Sequence, residues 1–223
     1  MPKSRHRKKT NRKHSGGSLR GFAAHLIRPA AQLPFRECLI NDNWREQRMA
    51  SISIARNHPD GRVAFAAFCV DLGCLGIKSA FAHPDISLAE YEDRIVYGQR
   101  TRQICCDAAF AAKLIEGARA YAAQFGFNPD PAYHAARRIF GAIDPASCPD
   151  VIEYGGEDGK PFYVAGPYDD VNRVMNQLTR KLGPYGFHFI IAAPFGEYGL
   201  PGFVHNRDNA MEESAPMATI AHE

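Results

Sequence analysis

An aspartate near the end of a long apolar run is the feature of this sequence that most suggests chemistry. Asp71 follows the run at 63–70 and stands two residues before Gly73, where the run breaks. A carboxylate in an apolar segment costs free energy unless it is paired, hydrated or bound to a metal ion. The carboxylates that a fold could bring beside it are those of Glu116, Glu153, Asp169 and Asp170.

Two roles are open to Asp71. With carboxylate partners it could hold Mg²⁺ or Mn²⁺, which prefer oxygen ligands and support phosphodiester hydrolysis. The simpler interpretation is that Asp71 accepts hydrogen bonds from loop amides where a strand ends, and the nearby Gly73 favours it. The candidate catalytic residues under the metal interpretation are Asp71, Glu153, Asp169 and Asp170.

Sulfur and imidazole ligands form a second group. Cys69, Cys74 and His83 stand close in sequence, and Cys105 and Cys106 are adjacent. The C-x4-C spacing of the first pair is loose for a zinc site. Adjacent residues of a helix point about 100° apart, which is a poor arrangement for binding one ion. The apolar neighbours of these cysteines favour buried thiols that act as small hydrophobic side chains.

A glycine-rich segment at 153–161, followed by a turn at 165–170, could let a ligand approach backbone amides. The acidic residues in both segments would repel a phosphate unless a metal ion intervened. A plain turn of a β-hairpin, followed by a helix cap, is the favoured interpretation.

The N-terminal segment is strongly basic. Residues 1–20 contain eight Lys and Arg and no Asp or Glu, although the whole chain has a net charge of only +3. Removing these eight from 27 Lys and Arg leaves 19 against 24 Asp and Glu, so the rest of the chain carries about −5. Contact with RNA or DNA phosphates is therefore expected from this segment. The candidate nucleic-acid-binding residues are Lys3, Arg5, Arg7, Lys8, Lys9, Arg12 and Lys13.

Alternating and continuous apolar patterns predict the strands. Residues 50–56 alternate, a turn rich in Pro and Gly follows, and 63–72 is nearly continuously apolar, which predicts a first β-hairpin. Segments 151–154 and 162–164 flank the glycine-rich loop and predict a second hairpin. A final strand is expected at 187–192, whereas 19–48 has no clear pattern.

Helices are expected between and after the hairpins. Residues 87–125 carry a capping box and an Ala-rich face, which leaves open whether they form one helix or two. The periodic residues at 171–182, capped by Asp169 or Asp170 and ended by Gly183, predict the clearest helix. The fold class is therefore α+β, with a mixed or antiparallel sheet built from two hairpins plus a C-terminal strand and covered by helices. We expect a disordered basic tail at 1–18, a single domain at 19–205 and a frayed segment at 206–223.

These observations rank three functions. The first is an accessory module that associates with nucleic acid or a ribonucleoprotein through the basic tail. The second is a metal-dependent phosphodiesterase or nuclease that uses carboxylates around Asp71, and the third is a protein-interaction domain. The N-terminus lacks the apolar stretch of a signal peptide, and no segment approaches the roughly 20 apolar residues of a membrane span. We therefore expect a cytoplasmic protein with no membrane partner, in which six cysteines are no evidence for disulfides.

Overall fold

A five-stranded antiparallel sheet forms the centre of the fold, in the spatial order β4-β3-β2-β1-β5. The computed structural model describes residues 27, 29–99, 101–193 and 202–205. The basic tail and the segment 206–223 lie outside the described residues. The strands of this sheet are β1 (Phe35–Asn41), β2 (Met49–Asn57), β3 (Val63–Asp71), β4 (Gly76–Ile86) and β5 (Gln103–Cys105). The α+β fold class is thus confirmed.

The first predicted hairpin is the best-ordered pairing of the sheet. β2 and β3 pair without interruption from Met49 opposite Asp71 to Asn57 opposite Val63. The turn between them closes through a hydrogen bond from the Gly61 amide to the His58 carbonyl. Gly61 adopts a φ of +83°, a conformation that only glycine reaches without strain.

Two strands extend this hairpin on either side. β4 is a separate strand on the outer side of β3. β1 lies on the other side of β2, in a segment that the sequence predicted to be irregular. Consecutive residues of β1, Cys38, Leu39 and Ile40, are all buried, so the segment lacks the alternation that identifies a half-exposed strand.

Helices cover both faces of the sheet to different extents. A short helix α1 (Trp44–Gln47) links β1 to β2, and α2 (Leu88–Tyr91) continues into a π-helical segment at Glu92–Tyr97. The long helix α3 (Ala108–Gln124) packs against β4, β1 and β3. The short helix α4 (Tyr133–Ala136), with the 3₁₀ turn Arg137–Phe140 after it, completes that layer. β5 separates α2 from α3, so 87–125 contains two helical regions rather than one.

The second predicted hairpin is replaced by a different arrangement. Residues 151–154 form no strand, and β6 (Phe162–Val164) pairs in parallel with β7 (His188–Ala193). The side chain of Tyr154 explains part of this, because its hydroxyl donates to carbonyls of α3 and holds the segment against that helix. The chain then hydrogen-bonds to the end of β3, from the Gly155 amide to the Leu72 carbonyl. β8 (Gly202–His205) pairs antiparallel with β7 and completes a three-stranded sheet.

The last helix has the boundaries that its sequence indicates. α5 (Val171–Leu182) begins after Asp170, whose carboxylate accepts from the Arg173 amide at 3.0 Å, and ends at Gly183. Val174 and Leu178 are buried in a cluster with Tyr163 and Phe187. No helix among residues 27–193 that the structure describes is both long and apolar enough to cross a bilayer.

Leu178 is the side chain on which docking of α5 depends most, since it is fully buried. Leu178→Ala should lower the free energy of unfolding by about 2–5 kcal/mol, because it removes buried methyl groups and leaves a cavity. Chemical denaturation measures this loss. Asn176→Ala, at an exposed position of the same helix, is the control and should stay within about 0.5 kcal/mol of the parent. Equal stability of both variants would show that α5 docks through another face.

Candidate functional site

Asp71 caps the loop that follows β3. Its Oδ1 atom accepts hydrogen bonds from the Gly73 amide at 2.8 Å and the Cys74 amide at 3.0 Å. The side chain is buried, and this burial raises the pKa of Asp71, while the backbone amides and Lys78 act in the opposite direction. These contacts are those expected from a loop cap.

The other acidic candidates of the C-terminal half each have a local partner. The Oδ2 atom of Asp169 lies 2.8 Å from the Lys78 ammonium and accepts from the Gly166 amide at 2.8 Å. Asp170 caps α5 through the Arg173 amide. These carboxylates serve ion pairing and helix capping.

The structure does not gather the acidic candidates into a metal site. Glu153 is exposed, and its carbonyl accepts from the Arg48 guanidinium at 3.2 Å. Glu116 forms ion pairs with Arg119 and Arg137. Among the described residues, no group of three or more His, Cys, Asp or Glu side chains could hold a metal ion.

The role of Asp71 as a cap can be measured. Asp71→Ala leaves two buried amides without an acceptor and should cost about 2–4 kcal/mol of unfolding free energy. Asp71→Asn keeps an oxygen acceptor without the charge and should cost about 1 kcal/mol or less. Denaturant melts of both variants provide the comparison. Similar stability of the Ala variant and the parent would contradict the capping role.

The first three candidate soft ligands, Cys69, Cys74 and His83, lie in different surroundings. Cys69 lies with its sulfur 3.7 Å from the Met49 sulfur. Cys74 is fully buried, and its pKa is raised by that burial. His83 accepts at Nδ1 from the Asp85 amide at 3.3 Å. None of these contacts involves another of the proposed ligands.

The glycine-rich loop is closed by its own hydrogen bonds. The Gly156 amide donates to the Lys160 carbonyl at 2.7 Å, and the Tyr121 hydroxyl donates to the Gly159 carbonyl at 2.9 Å. A cavity of about 340 Å³ lies near the start of α5, but its Lys78 ammonium is already paired with Asp169. The same cavity is lined by Arg173 and by the carboxylates of Asp130, Asp169 and Asp170, so its charges are mixed.

Two cysteines at the edge of the five-stranded sheet bring their thiols close together. β5 pairs antiparallel with β1, with Cys105 opposite Leu39, so the next residue, Cys106, lies opposite Cys38. The Cys106 amide donates to the Cys38 carbonyl at 2.9 Å, and the two sulfur atoms are 3.5 Å apart. Both cysteines are free thiols.

The two thiols differ in exposure and acidity. Cys38 is only 2% exposed, whereas Cys106 is partly exposed. The sulfur–sulfur hydrogen bond with Cys38 lowers the pKa of Cys106, against the opposing effects of burial and of the Asp107 carboxylate. The same pairing, together with burial, raises the pKa of Cys38. Cys106 is the more accessible of the two thiols, and its charged form is the less desolvated.

The start of α3 adds to this asymmetry. Asp107 caps the helix through the Phe110 amide at 2.9 Å, so Cys106 immediately precedes the cap of a 17-residue helix. The positive end of a helix dipole favours a thiolate at such a position. Cys105, by contrast, is exposed on the opposite face of β5, because neighbouring residues of a strand point to opposite sides.

A large cavity opens beside Cys106. Its volume is about 980 Å³, and the guanidinium of Arg56 lies in its wall. Arg56 is 7% exposed and donates to the carbonyls of Ile139, Leu33 and Phe140 at 2.7, 2.7 and 2.9 Å. In the part of the chain that the structure describes, no carboxylate pairs with this guanidinium. Burial lowers the pKa of Arg56, which nevertheless stays charged at neutral pH.

The sequence pointed to Cys105 and Cys106 but gave no sign of Cys38 as a partner, because the strand that carries Cys38 was not predicted. The short apolar stretch between Pro34 and Asn41 was the only available signal. Comparison of the chain with protein-family models, with curated proteins and with solved structures gave no match. The geometry around Cys38, Cys106 and Arg56 is therefore the basis on which a function can be proposed.

Proposed function

We propose that Cys38 and Cys106 form a reversible dithiol–disulfide couple and that the protein acts by thiol–disulfide exchange. The observation that carries this proposal is the 3.5 Å separation of two free thiols, one on Cys38 of β1 and one on Cys106, which follows β5 directly and donates its amide to the Cys38 carbonyl. Cys106 is the partly exposed thiol and precedes the N-terminus of α3, which makes it the accessible nucleophile, whereas Cys38 is buried behind it.

The backbone geometry is compatible with a disulfide. Directly opposed residues of a hydrogen-bonded antiparallel pair have Cα atoms about 5.5 Å apart. Disulfides commonly join Cα atoms separated by about 4.4–6.8 Å, with a sulfur–sulfur bond of about 2.0 Å. The sulfurs of Cys38 and Cys106 can therefore close to bonding distance by side-chain rotation, while β1 and β5 stay paired.

The exchange with a low-molecular-weight disulfide, RSSR, proceeds in two steps. The Cys106 thiolate attacks one sulfur of RSSR, which breaks the RS–SR bond, forms a mixed disulfide and releases one thiolate. Cys38 then loses its proton and attacks the Cys106 sulfur, and the second RS group leaves and takes up a proton. The two protein thiols are oxidised by two electrons, and RSSR is reduced to two RSH molecules.

Each step can be trapped with a neutral oxidant such as 2-hydroxyethyl disulfide. Cys105→Ser should still form one intramolecular disulfide between Cys38 and Cys106, which peptide mapping by mass spectrometry identifies. Cys38→Ser should instead accumulate a mixed disulfide on Cys106, because the second attack is blocked. The same Cys105→Ser chain, kept reduced, is the matched control. A disulfide that requires Cys105, or no disulfide at all, would contradict the proposal.

The basic N-terminal segment favours a second function, association with RNA or DNA. We propose it on the charge distribution alone, since the cations of residues 1–20 lie outside the described structure. Eight cations without a carboxylate precede a remainder that is net acidic. Lys and Arg side chains that contact phosphates carry no sequence information directly, so little sequence preference is expected.

Deletion of residues 1–18 tests this second function. Contact with four phosphates should give a slope of about −3 to −4 for log K against log salt. The truncated chain should lose most of its affinity and most of this salt dependence. A matched control replaces the exposed cations Arg180 and Lys181 by Gln and should bind like the parent. Undiminished binding by the truncated chain would place the binding surface elsewhere.

A further inference from the structure

The cavity beside Cys106 shares its wall with Arg56 because of the strand register. Arg56 lies two residues after Ile54 on β2, so both side chains are on the same face of the sheet. Ile54 pairs with Cys38, and the Cys106 amide, one residue past the end of β5, donates to the Cys38 carbonyl. The guanidinium and the reactive thiol therefore open into one cavity of about 980 Å³.

Among the described residues, the Arg56 guanidinium has fewer acceptors than N–H donors and no carboxylate as a counter-ion. The guanidinium of arginine has five N–H donors, and that of Arg56 donates three hydrogen bonds, all to neutral carbonyls. A buried charge without a counter-ion costs free energy, and a bound carboxylate would lower that cost. A neutral ligand would leave the charge as it is.

Gly141 leaves no side chain beside the buried guanidinium of Arg56. It adopts a φ of +62°, and a Cβ atom there would lie 2.7 Å from the Ala31 carbonyl oxygen and 3.4 Å from a terminal guanidinium nitrogen. The acidic residue of the lining, Asp107, is committed through one oxygen to the cap of α3. Much of the remaining wall is apolar, including half-exposed Phe35, together with Ala108 and Ile143. Such a cavity suits a small molecule with an apolar body and one anionic end.

We propose that this cavity binds carboxylate-bearing thiols and disulfides and that Arg56 receives their carboxylate. The inference rests on the thiol–disulfide exchange proposed above and names the class of its substrate. In this arrangement the carboxylate neutralises Arg56, while the sulfur end of the ligand reaches Cys106. Binding and reaction then use different ends of the same molecule.

Two alkylating reagents of nearly equal size test the proposal on the full-length reduced chain. Iodoacetate carries a carboxylate and iodoacetamide is neutral, and each marks a cysteine by a stable mass increase. The ratio of the iodoacetate rate to the iodoacetamide rate is measured by peptide mass spectrometry at Cys106 and at Cys105. Cys105, exposed on the other face of the sheet, is the internal reference.

The ratio at Cys106 should exceed the ratio at Cys105 by about tenfold, which corresponds to about 1.4 kcal/mol. Arg56→Gln, which keeps a planar donor without the charge, should bring the two ratios together. If that variant does not fold, sodium acetate added to the parent protein gives the same information, because it should slow only the reaction of iodoacetate at Cys106. Equal ratios in the parent protein would show that Arg56 only fixes the neighbouring backbone and would overturn the inference.

The two proposals fail independently. A Cys38–Cys106 disulfide with equal alkylation ratios would retain the exchange function and remove the carboxylate site. A high ratio at Cys106 without any disulfide would retain an anion site beside a reactive thiol and remove the exchange function.

Discussion

The pairing of β5 with β1 is the interaction on which the candidate site depends. β5 has only three residues, yet it closes one edge of the five-stranded sheet and fixes the start of α3. The last hydrogen bond of this pairing, from the Cys106 amide to the Cys38 carbonyl, brings the two thiols face to face. Without it, the cysteines would separate and α3 would lose the anchor at its N-terminus. The short pairing of β5 with β1 thus positions both the start of α3 and the two thiols.

Arg56 connects the same region to the rest of the fold. Its guanidinium joins carbonyls from the segment before β1 and from the 3₁₀ turn after α4, which lie 23 to 84 residues away in the chain. Such a cross-link stabilises the wall of the cavity and holds an unneutralised positive charge there. Arg56 would therefore contribute both to the stability of the fold and to the selection of a ligand. Variants that remove its charge but keep a planar donor measure the two contributions separately.

Local patterns explain how much of the structure could be predicted. The β2–β3 hairpin was predictable because alternation and turn residues lie within a short stretch, and α5 because its apolar spacing and caps agree. Asp71 was favoured as a loop cap from its own neighbours. β1 was missed since successive buried residues hide its period, and the thiol pair was missed with it, because its members stand 68 residues apart. Contacts between residues so far apart in the chain are set by the pairing of strands, and no local sequence pattern predicts that pairing.

The reversibility of the Cys38–Cys106 couple is the central claim, and a redox titration tests it most directly. The protein is equilibrated in glutathione buffers spanning about −300 to −120 mV, and the fraction of Cys38–Cys106 disulfide is read by peptide mass spectrometry. A single reversible transition is predicted, with a two-electron slope of about 30 mV for each tenfold change in the ratio of oxidised to reduced protein. Thiols that stay reduced throughout this range, or that yield only glutathione adducts, would contradict the account.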